Sequence, residues 1–490
     1  MEKEDTLSLL KKLSSPLDLS KGSVGIILAA GHGKRIKSEK SKMLHEIWGK
    51  PTVLRVQTAL EQGLVSSAQI IVVGIKANEV ADTVSKKENL AFVFQEEQKG
   101  TGDAVKRALN LLSDEDFDGA VYIVPGDMGL IDKDTISDFK ESFQSSKADM
   151  MVLTGLYEGD TKRNQYGRIV RVPDGKHKGE VVEIIEHKDI LAMSNAQAYQ
   201  ITHKGMKFEV GKNDLLNIRE FNTGIFGFKA KSLRENLGEL TTDNVQGELY
   251  LTDLIKMYNE DDKKVSAVNA ENSRLVEGFN EKSTLLEMEA IARDRVYELL
   301  KDVITIEDRY DFFIAEEVVE RILKLDNSGK SGDIIIQKGV SLGPNVRLSN
   351  GVEICTNSQL TGEVQIGANT FIGKRVTMSN FPGQSIKIGE GTEILHGNEI
   401  KGEVKIGDNC IIESRVSITG NDEFPVIIED NVHLRGVTYI FGSKIEKGVH
   451  ITHSVLKRKH VRNLESESGN TFKIRYVLPS PEGEEAVTDI

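Results

Sequence analysis

Aliphatic residues recur every six positions through the second half of this chain. The series runs Leu342, Leu348, Ile354, Leu360, Ile366, Ile372, Met378, then Ile388, Ile394, Ile400, Ile406, Ile412, Ile418, then Ile428, Leu434, Ile440. Neither the turn of an α-helix nor simple strand alternation produces a strict period of six. A parallel β-helix of hexapeptides does, because each aliphatic residue stacks on its counterpart one coil away. The two slips of four residues, at Ser379–Ser385 and before Ile428, predict loops projecting from a coil.

The other strong constraint lies near the start, in Val24-Gly-Ile-Ile-Leu-Ala-Ala-Gly-His-Gly-Lys-Arg-Ile. The apolar run Val24 to Ala30 predicts a buried parallel strand that breaks at Gly31-His32-Gly33, with Arg35 and Lys42 following. A glycine-rich turn after a strand lets backbone N–H groups approach phosphate oxygens, and later cations neutralise the same charge. Two familiar phosphate loops are excluded. A Walker A loop needs Gly-Lys followed by Ser or Thr, whereas Gly33-Lys34 precedes Arg35. A dinucleotide fingerprint needs a third glycine where Ile36 stands.

At 490 residues the chain suggests two or three domains, and 39% hydrophobic residues suffice for sizeable cores. A net charge of −13 argues against a general nucleic-acid binder but leaves room for a nucleotide site with a few local cations. Cys355 and Cys410 alone exclude a disulfide framework or a four-cysteine zinc site. Free thiols, no secretory signal and no membrane-length apolar run predict a cytoplasmic protein. Leu7, Leu9, Leu10 and Leu13 predict a short amphipathic helix within an N-terminal extension, residues 1–22.

Between these landmarks, apolar runs at Gln69–Val73, Leu90–Phe94 and Ala120–Val124 alternate with helical patterns such as Thr52–Gln62, Ala104–Leu112 and Lys133–Phe143. Strand and helix in alternation predict a doubly wound, mostly parallel sheet, whose ligands bind beyond the carboxyl ends of its strands. The Gly31 turn and Pro125-Gly126-Asp127 both stand at such ends and can face one crevice. Gln95-Glu-Glu-Gln-Lys-Gly100-Thr101 opens a helix and offers an amide and a glycine backbone to a base edge. Asp127 offers one carboxylate to Mg²⁺, which takes one or two protein oxygens plus substrate phosphates. Glu186, Asn222 and the Gly167 backbone suit sugar hydroxyls and an amide, and Asn280 offers a neutral oxygen to the metal. Taken singly, each of these is also compatible with an ordinary turn.

In this order, the motifs resemble the bacterial bifunctional N-acetylglucosamine-1-phosphate uridylyltransferase/glucosamine-1-phosphate acetyltransferase family, from Val24 to about Asn280. The resemblance implies a Rossmann-like α/β nucleotidyltransferase domain over 23–280, then a helical linker over 281–332. A left-handed parallel β-helix over 333–456 and a C-terminal tail over 457–490 complete the expected order. It implies that Leu28, Ala29, Ala30, Gly31 and Gly33 hold the triphosphate, with Gly126 at the neighbouring strand end. Arg35 and Lys42 become the catalytic cations, and Gln95, Gly100 and Thr101 the uracil readers. Asp127 and Asn280 become the Mg²⁺ ligands, and Gly167, Glu186 and Asn222 the sugar contacts. The run Gln246-Gly-Glu-Leu-Tyr-Leu-Thr-Asp253 is a family landmark read here mainly as packing.

The chain also departs from the family. Ser41 and Gly129 replace prolines, and the segment between Asp189 and Asn222 is longer. The acetyltransferase stretches His-Leu-x-Tyr-Leu-Gly-Asp and Asn-Tyr-Asp-Gly are missing, and His396 and His433 lack those neighbours. The expected activity is therefore uridylyl transfer from UTP to N-acetylglucosamine 1-phosphate with Mg²⁺, without acetyl transfer, in a homotrimer joined through the β-helix. A rearranged acetyl-CoA site, another hexose 1-phosphate, and a non-catalytic regulatory subunit are the alternatives. No nucleic-acid or membrane partner is expected.

Overall fold

The computed structural model describes residues 3–31, 33, 36–65, 67–112, 117–194, 198–329, 332–464 and 473–479. The chain forms two compact units, residues 1–288 and 289–490, and the boundary falls inside the helix Lys282–Leu300.

The first unit is built on a sheet whose strands are β1 (Ser23–Ala29), β2 (Ala68–Val73), β3 (Leu90–Phe94), β4 (Ala120–Pro125), β5 (Met150–Leu156), β6 (Arg168–Arg171), β7 (Val181–Ile185), β10 (Glu220–Lys229) and β11 (Val265–Asn269). Between β7 and β10, β8 (Tyr199–His203) and β9 (Met206–Val210) form a separate hairpin. The main order is β11-β5-β10-β4-β1-β2-β3, with β6 and β7 attached beside β10. β1 to β4 are mutually parallel, whereas β10 runs antiparallel to β4 and β5. Alternate residues feed opposite layers, as a two-residue period requires. Ile27, Ile71 and Val124 pack under α2 (Thr52–Gly63), α3 (Ala77–Val84) and α5 (Lys133–Ser146). Ile26, Ile70 and Ile123 pack under α4 (Thr101–Leu109) and later helices.

The N-terminal segment includes α1 (Lys3–Leu13), which buries Leu10, and a stretch that covers edge strand β3. There Ser15 N donates to Leu90 O at 2.8 Å, and Ser14 Oγ accepts from Phe92 N at 2.9 Å. An uncovered edge would be a template for intermolecular pairing. No helix among the described residues is long and apolar enough to cross a membrane.

The second unit is a left-handed parallel β-helix of three sheets whose strands pair with the next coil, for example Ile354↔Ile372↔Ile394↔Ile412. These stacked side chains are fully buried. The two slips are loops, at 380–384 and 421–425, and Gln384 Nε2 donates to Asp422 Oδ1 across them at 3.0 Å. Two expected boundaries are corrected. The β-helix begins before 333, because Thr305–Ile306 and Phe313–Ile314 pair with Ile335–Ile336 and Ser341–Leu342. The helix Glu316–Asn327 follows these strands, and so hides the six-residue period. At the other end coils continue past 456 through His460–Val461 and Lys473–Arg475. There three of the four steps in the buried series Ile440, Ile445, Ile451, Leu456, Val461 shorten to five, so a six-residue template stops short.

In such a stack each coil contacts only its neighbours. Ile394→Val is therefore expected to lower the stability of this unit by about 1 kcal/mol, the usual cost of deleting one buried methylene. Chemical denaturation of the full chain, followed on the β-helix signal, measures it.

Candidate functional site

The carboxyl ends of β1, β3, β4 and β7 open into a cavity of about 740 Å³. Gly31 and Gly33 follow β1, Gln95 to Thr101 follow β3, and Asp127 follows β4. Glu186 follows β7, and Asn222 and Gly224 come from an irregularity in β10, where pairing with β5 shifts between Asn222 and Ile225. Asn280 closes the floor.

Backbone bonds lock these ends together. Gly126 N donates to Leu28 O at 2.9 Å, and Gln95 N to Val73 O at 2.8 Å. Gly33 has φ +61°, and a Cβ there would lie 2.9 Å from Lys42 Cβ, so the glycine turn rests directly on the lysine stem. Lys42 is nearly buried, and its Nζ stands 5.3 Å from the Phe279 ring centre. The ammonium donates to Asp127 Oδ2 and, at 2.9 Å, to Asn280 Oδ1. A carboxylate and an amide oxygen thus converge on one cation.

On the opposite wall, Gln95 Nε2 donates to Gly100 O at 3.1 Å and Asp103 Oδ2 at 2.8 Å. Gly100 takes φ +101°, and a Cβ there would meet Leu249 O at 2.5 Å. Only glycine fits this approach. α4 begins at Thr101, three residues earlier than the apolar pattern suggests, which places Thr101 and Ala104 on the cavity lining, while Gly102 N donates to Leu249 O at 2.9 Å. Thr101 Oγ1 accepts from Leu251 N at 3.0 Å, tying in the 246–252 run.

Glu186 stands at the start of α6 (His187–Ala192), where its carbonyl accepts from Ile190 N at 3.1 Å, and its side chain is hydrogen-bonded to Asn222. Burial, then the nearby Asp189 carboxylate, pushes its pKa up to about 7, opposed by the Asn222 bond. Asp253 behind it is pushed up to about 6 by burial and by Glu183 and Asp189. Gly167 does not line the cavity, but its carbonyl accepts from Asn222 N at 2.9 Å and a Cβ there would lie 3.0 Å from Glu186 Oε1. Arg168, fully buried, donates to Asn164 O at 2.8 Å and to Tyr166 O, fixing that turn.

The structure therefore brings together Leu28, Ala30, Gly31, Gly33, Lys42, Gln95, Gly100, Thr101, Asp127, Glu186, Asn222 and Asn280. Ala29 is buried in the sheet core, and Gly126 acts through its backbone bond to Leu28. Arg35 lies outside the described residues. Sequence reasoning missed Gln98, whose Nε2 donates to Ala30 O, and Lys188, whose Nζ donates to Gln246 Oε1. It also read the Gln246–Asp253 run as packing, whereas Gln246, Tyr250 and Thr252 line the cavity and Gln246 Nε2 donates to Tyr250 Oη at 2.6 Å. The polar spacing of Gln98 within the Gln95–Thr101 loop was a usable signal; Lys188 carried none.

Residues 25–192 match a family model described as a MobA-like NTP transferase domain, and 385–420 match one described as bacterial transferase hexapeptide (six repeats). The chain is 31% identical over 419 residues to the bifunctional protein GlmU of Acetivibrio thermocellus, spanning 74% of this chain and 84% of that one. Its counterpart of that name in Carboxydothermus hydrogenoformans is 33% identical over 360 residues, spanning 73% and 72%. Among solved structures, UDP-glucose pyrophosphorylase complexed with UDP-glucose aligns over 56% of this chain and 99% of that chain, with 15% identity and a TM-score of 0.39.

Proposed function

The chain belongs to the GlmU family and is a sugar-1-phosphate nucleotidyltransferase, and from that premise we propose that it transfers a uridylyl group from UTP to N-acetylglucosamine 1-phosphate. The observation that carries this reading is that Lys42, bonded to Asp127 and Asn280, lines one cavity together with Gln95, Gly100, Thr101, Glu186 and Asn222. In this reading Gln95, Gly100 and Thr101 take the base, Glu186 and Asn222 take the sugar, and Lys42 takes the α-phosphate.

A phosphate oxygen of the sugar phosphate attacks the α-phosphorus of UTP in line, the bond to the β-phosphate oxygen breaks, and pyrophosphate leaves. Such a transfer asks the protein mainly for positioning and charge stabilisation. The Lys42 ammonium neutralises charge accumulating at the α-phosphate, and Arg35 holds the pyrophosphate. Backbone N–H groups of the Gly31 turn face the triphosphate. Asp127 and Asn280 fit Mg²⁺, since their oxygens already converge on a cation and a hard divalent ion completes its shell with phosphate oxygens. When bound, the metal supplies further charge neutralisation at the phosphates. Glu186 and Asn222 accept and donate to the sugar hydroxyls and acetamide.

Acetyl transfer is absent from this proposal. His396 Nδ1 accepts from Lys374 N at 3.0 Å and so serves a turn, and His433 Nε2 is paired with Glu413 Oε1 at 3.0 Å. Burial pushes both thiols up, Cys355 to about 11. The β-helix then serves assembly, as the core of a homotrimer.

Pyrophosphate release is measured with UTP, Mg²⁺ and a panel of sugar 1-phosphates, and acetyl-CoA consumption with glucosamine 1-phosphate separately. The expected result is release with N-acetylglucosamine 1-phosphate and no acetyl-CoA consumption. Release only with another hexose 1-phosphate overturns the sugar assignment, and acetyl-CoA consumption overturns the loss of the second activity.

A further inference from the structure

The strand that delivers Glu186 lies off the main run of the sheet, held on one side by Val181 and Ile184 in the main core and by Asn259 Nδ2, which donates to Val181 O at 3.1 Å and Val182 O at 2.9 Å. Among the described residues, β7 pairs with β6 alone, and β6 meets β10 through the pair Phe221↔Arg168 and the adjoining bond from Asn222 N to Gly167 O. A carboxylate meant to hold a sugar needs its position fixed to a fraction of an ångström. The strand's other side is supported by the segment between Asp189 and Asn222.

That segment is the β8–β9 hairpin followed by α7 (Lys212–Asn217). It carries its own small core, in which Ile201 and Leu215 join Val170, Val182, Ile185 and Ile190 from β6, β7 and α6. Two polar tethers bind the hairpin to the β7 side. Tyr199 Oη donates to Glu183 Oε1 at 2.8 Å, in the middle of β7. At the far end, Glu180 receives Lys204 Nζ at 2.8 Å and pairs with His203 Nε2 at 2.8 Å. A third contact reaches α6 itself: Lys212 Nζ donates to Leu191 O at 2.7 Å and Met193 O at 2.9 Å, the carbonyls at the helix end. A cation there satisfies acceptors the helix cannot satisfy and opposes its negative pole. Since Glu186 joins β7 to α6 and Lys188 lies in the first turn of α6, β7 and α6 together carry both cavity side chains.

We propose that the 198–217 segment is a positioning element for the sugar-phosphate side of the cavity, with Tyr199 acting through Glu183 on β7 and Lys212 acting on the end of α6. Neither residue lines the cavity, so both are positioning residues rather than catalytic ones. The inference rests on the reading of Glu186 and Asn222 as the sugar side.

The test compares Tyr199→Phe, Lys212→Met and their double variant with Glu186→Gln, all in the full chain, by steady-state pyrophosphate release with each substrate varied in turn. The double variant is expected to raise KM for the sugar phosphate about 5–20-fold while KM for UTP stays within about twofold. A melting curve on each protein checks that it is folded, and phenylalanine removes only a hydroxyl. A purely structural role predicts that both KM values and the melting midpoint move together, or that neither KM moves; either result overturns the proposal. If Glu186→Gln itself leaves the sugar-phosphate KM unchanged, the assignment of the sugar side has failed instead.

Discussion

Replacing Lys42 by alanine is expected to lower kcat for pyrophosphate release by about 10²–10³, the usual consequence of deleting one preorganised donor at a site of developing charge. The side chain has two separable roles. Its stem carries the Gly33 turn, while its ammonium faces Asp127, Asn280 and the Phe279 ring. Alanine removes both, and it leaves the partly buried Asp127 carboxylate without its cation, so some loss of stability accompanies the loss of rate. Lys42→Met keeps most of the stem and removes only the charge. It is expected to show the same fall in kcat with a smaller drop in melting midpoint. Arginine is not a rescue, because a planar fork does not replace a compact ammonium in a pocket closed by Gly33. A methionine variant with full turnover would remove Lys42 from the mechanism.

The legible parts of this protein are those in which one local rule decides the outcome. The six-residue period specifies the β-helix because only stacking across coils places Ile354, Ile372, Ile394 and Ile412 on one another. The Gly31–Gly33 turn and Asp127 are legible because each follows an apolar strand run directly, and in a parallel sheet all such ends point the same way. The start of the β-helix was hidden where the chain interrupts its own period with the helix Glu316–Asn327. Its last coils were hidden where spacing falls to five. Lys188 and Tyr250 were hidden for a different reason. Lys188 comes from a segment distant from the Gln246–Asp253 run, and Gln246, which donates to Tyr250 Oη within that run, receives Lys188 Nζ in a contact that no sequence spacing encodes. The Tyr199–Glu183 bond is of the same kind. A tyrosine and a glutamate 16 residues apart give no sign that a hairpin will fold one onto the other.

Glu186→Gln is expected to stabilise the protein and to weaken its hold on the sugar phosphate, and the two effects come from the same carboxyl group. The folded-state pKa of Glu186 is pushed up to about 7, above the ordinary glutamate value, chiefly by burial. Between those two values the folded protein keeps a proton that the unfolded chain has released, so stability falls as pH rises through this window and the full cost is present above pH 7. Glutamine carries no charge at any pH. The variant should therefore melt higher than the parent at pH 8, by a free-energy difference on the order of 3 kcal/mol at most, and almost level with it below pH 4.5. Binding runs the other way. The carboxylate is the stronger acceptor for a sugar hydroxyl, and losing a hydrogen bond to a charged group costs about 1.5–3 kcal/mol, so KM for the sugar phosphate should rise about 10–100-fold at pH 8. At pH 6 the parent's own Glu186 is mostly protonated, and the gap between parent and variant should close. The second ionisation of the sugar phosphate, near pH 6, affects both proteins alike, so the ratio of their KM values isolates Glu186. A ratio that stays flat from pH 6 to pH 8 would show that the carboxylate is not the sugar's partner. Burial and a neighbouring aspartate make this carboxyl group costly to ionise, and a ratio that rises through pH 7 is the signature of a charge used to hold the sugar.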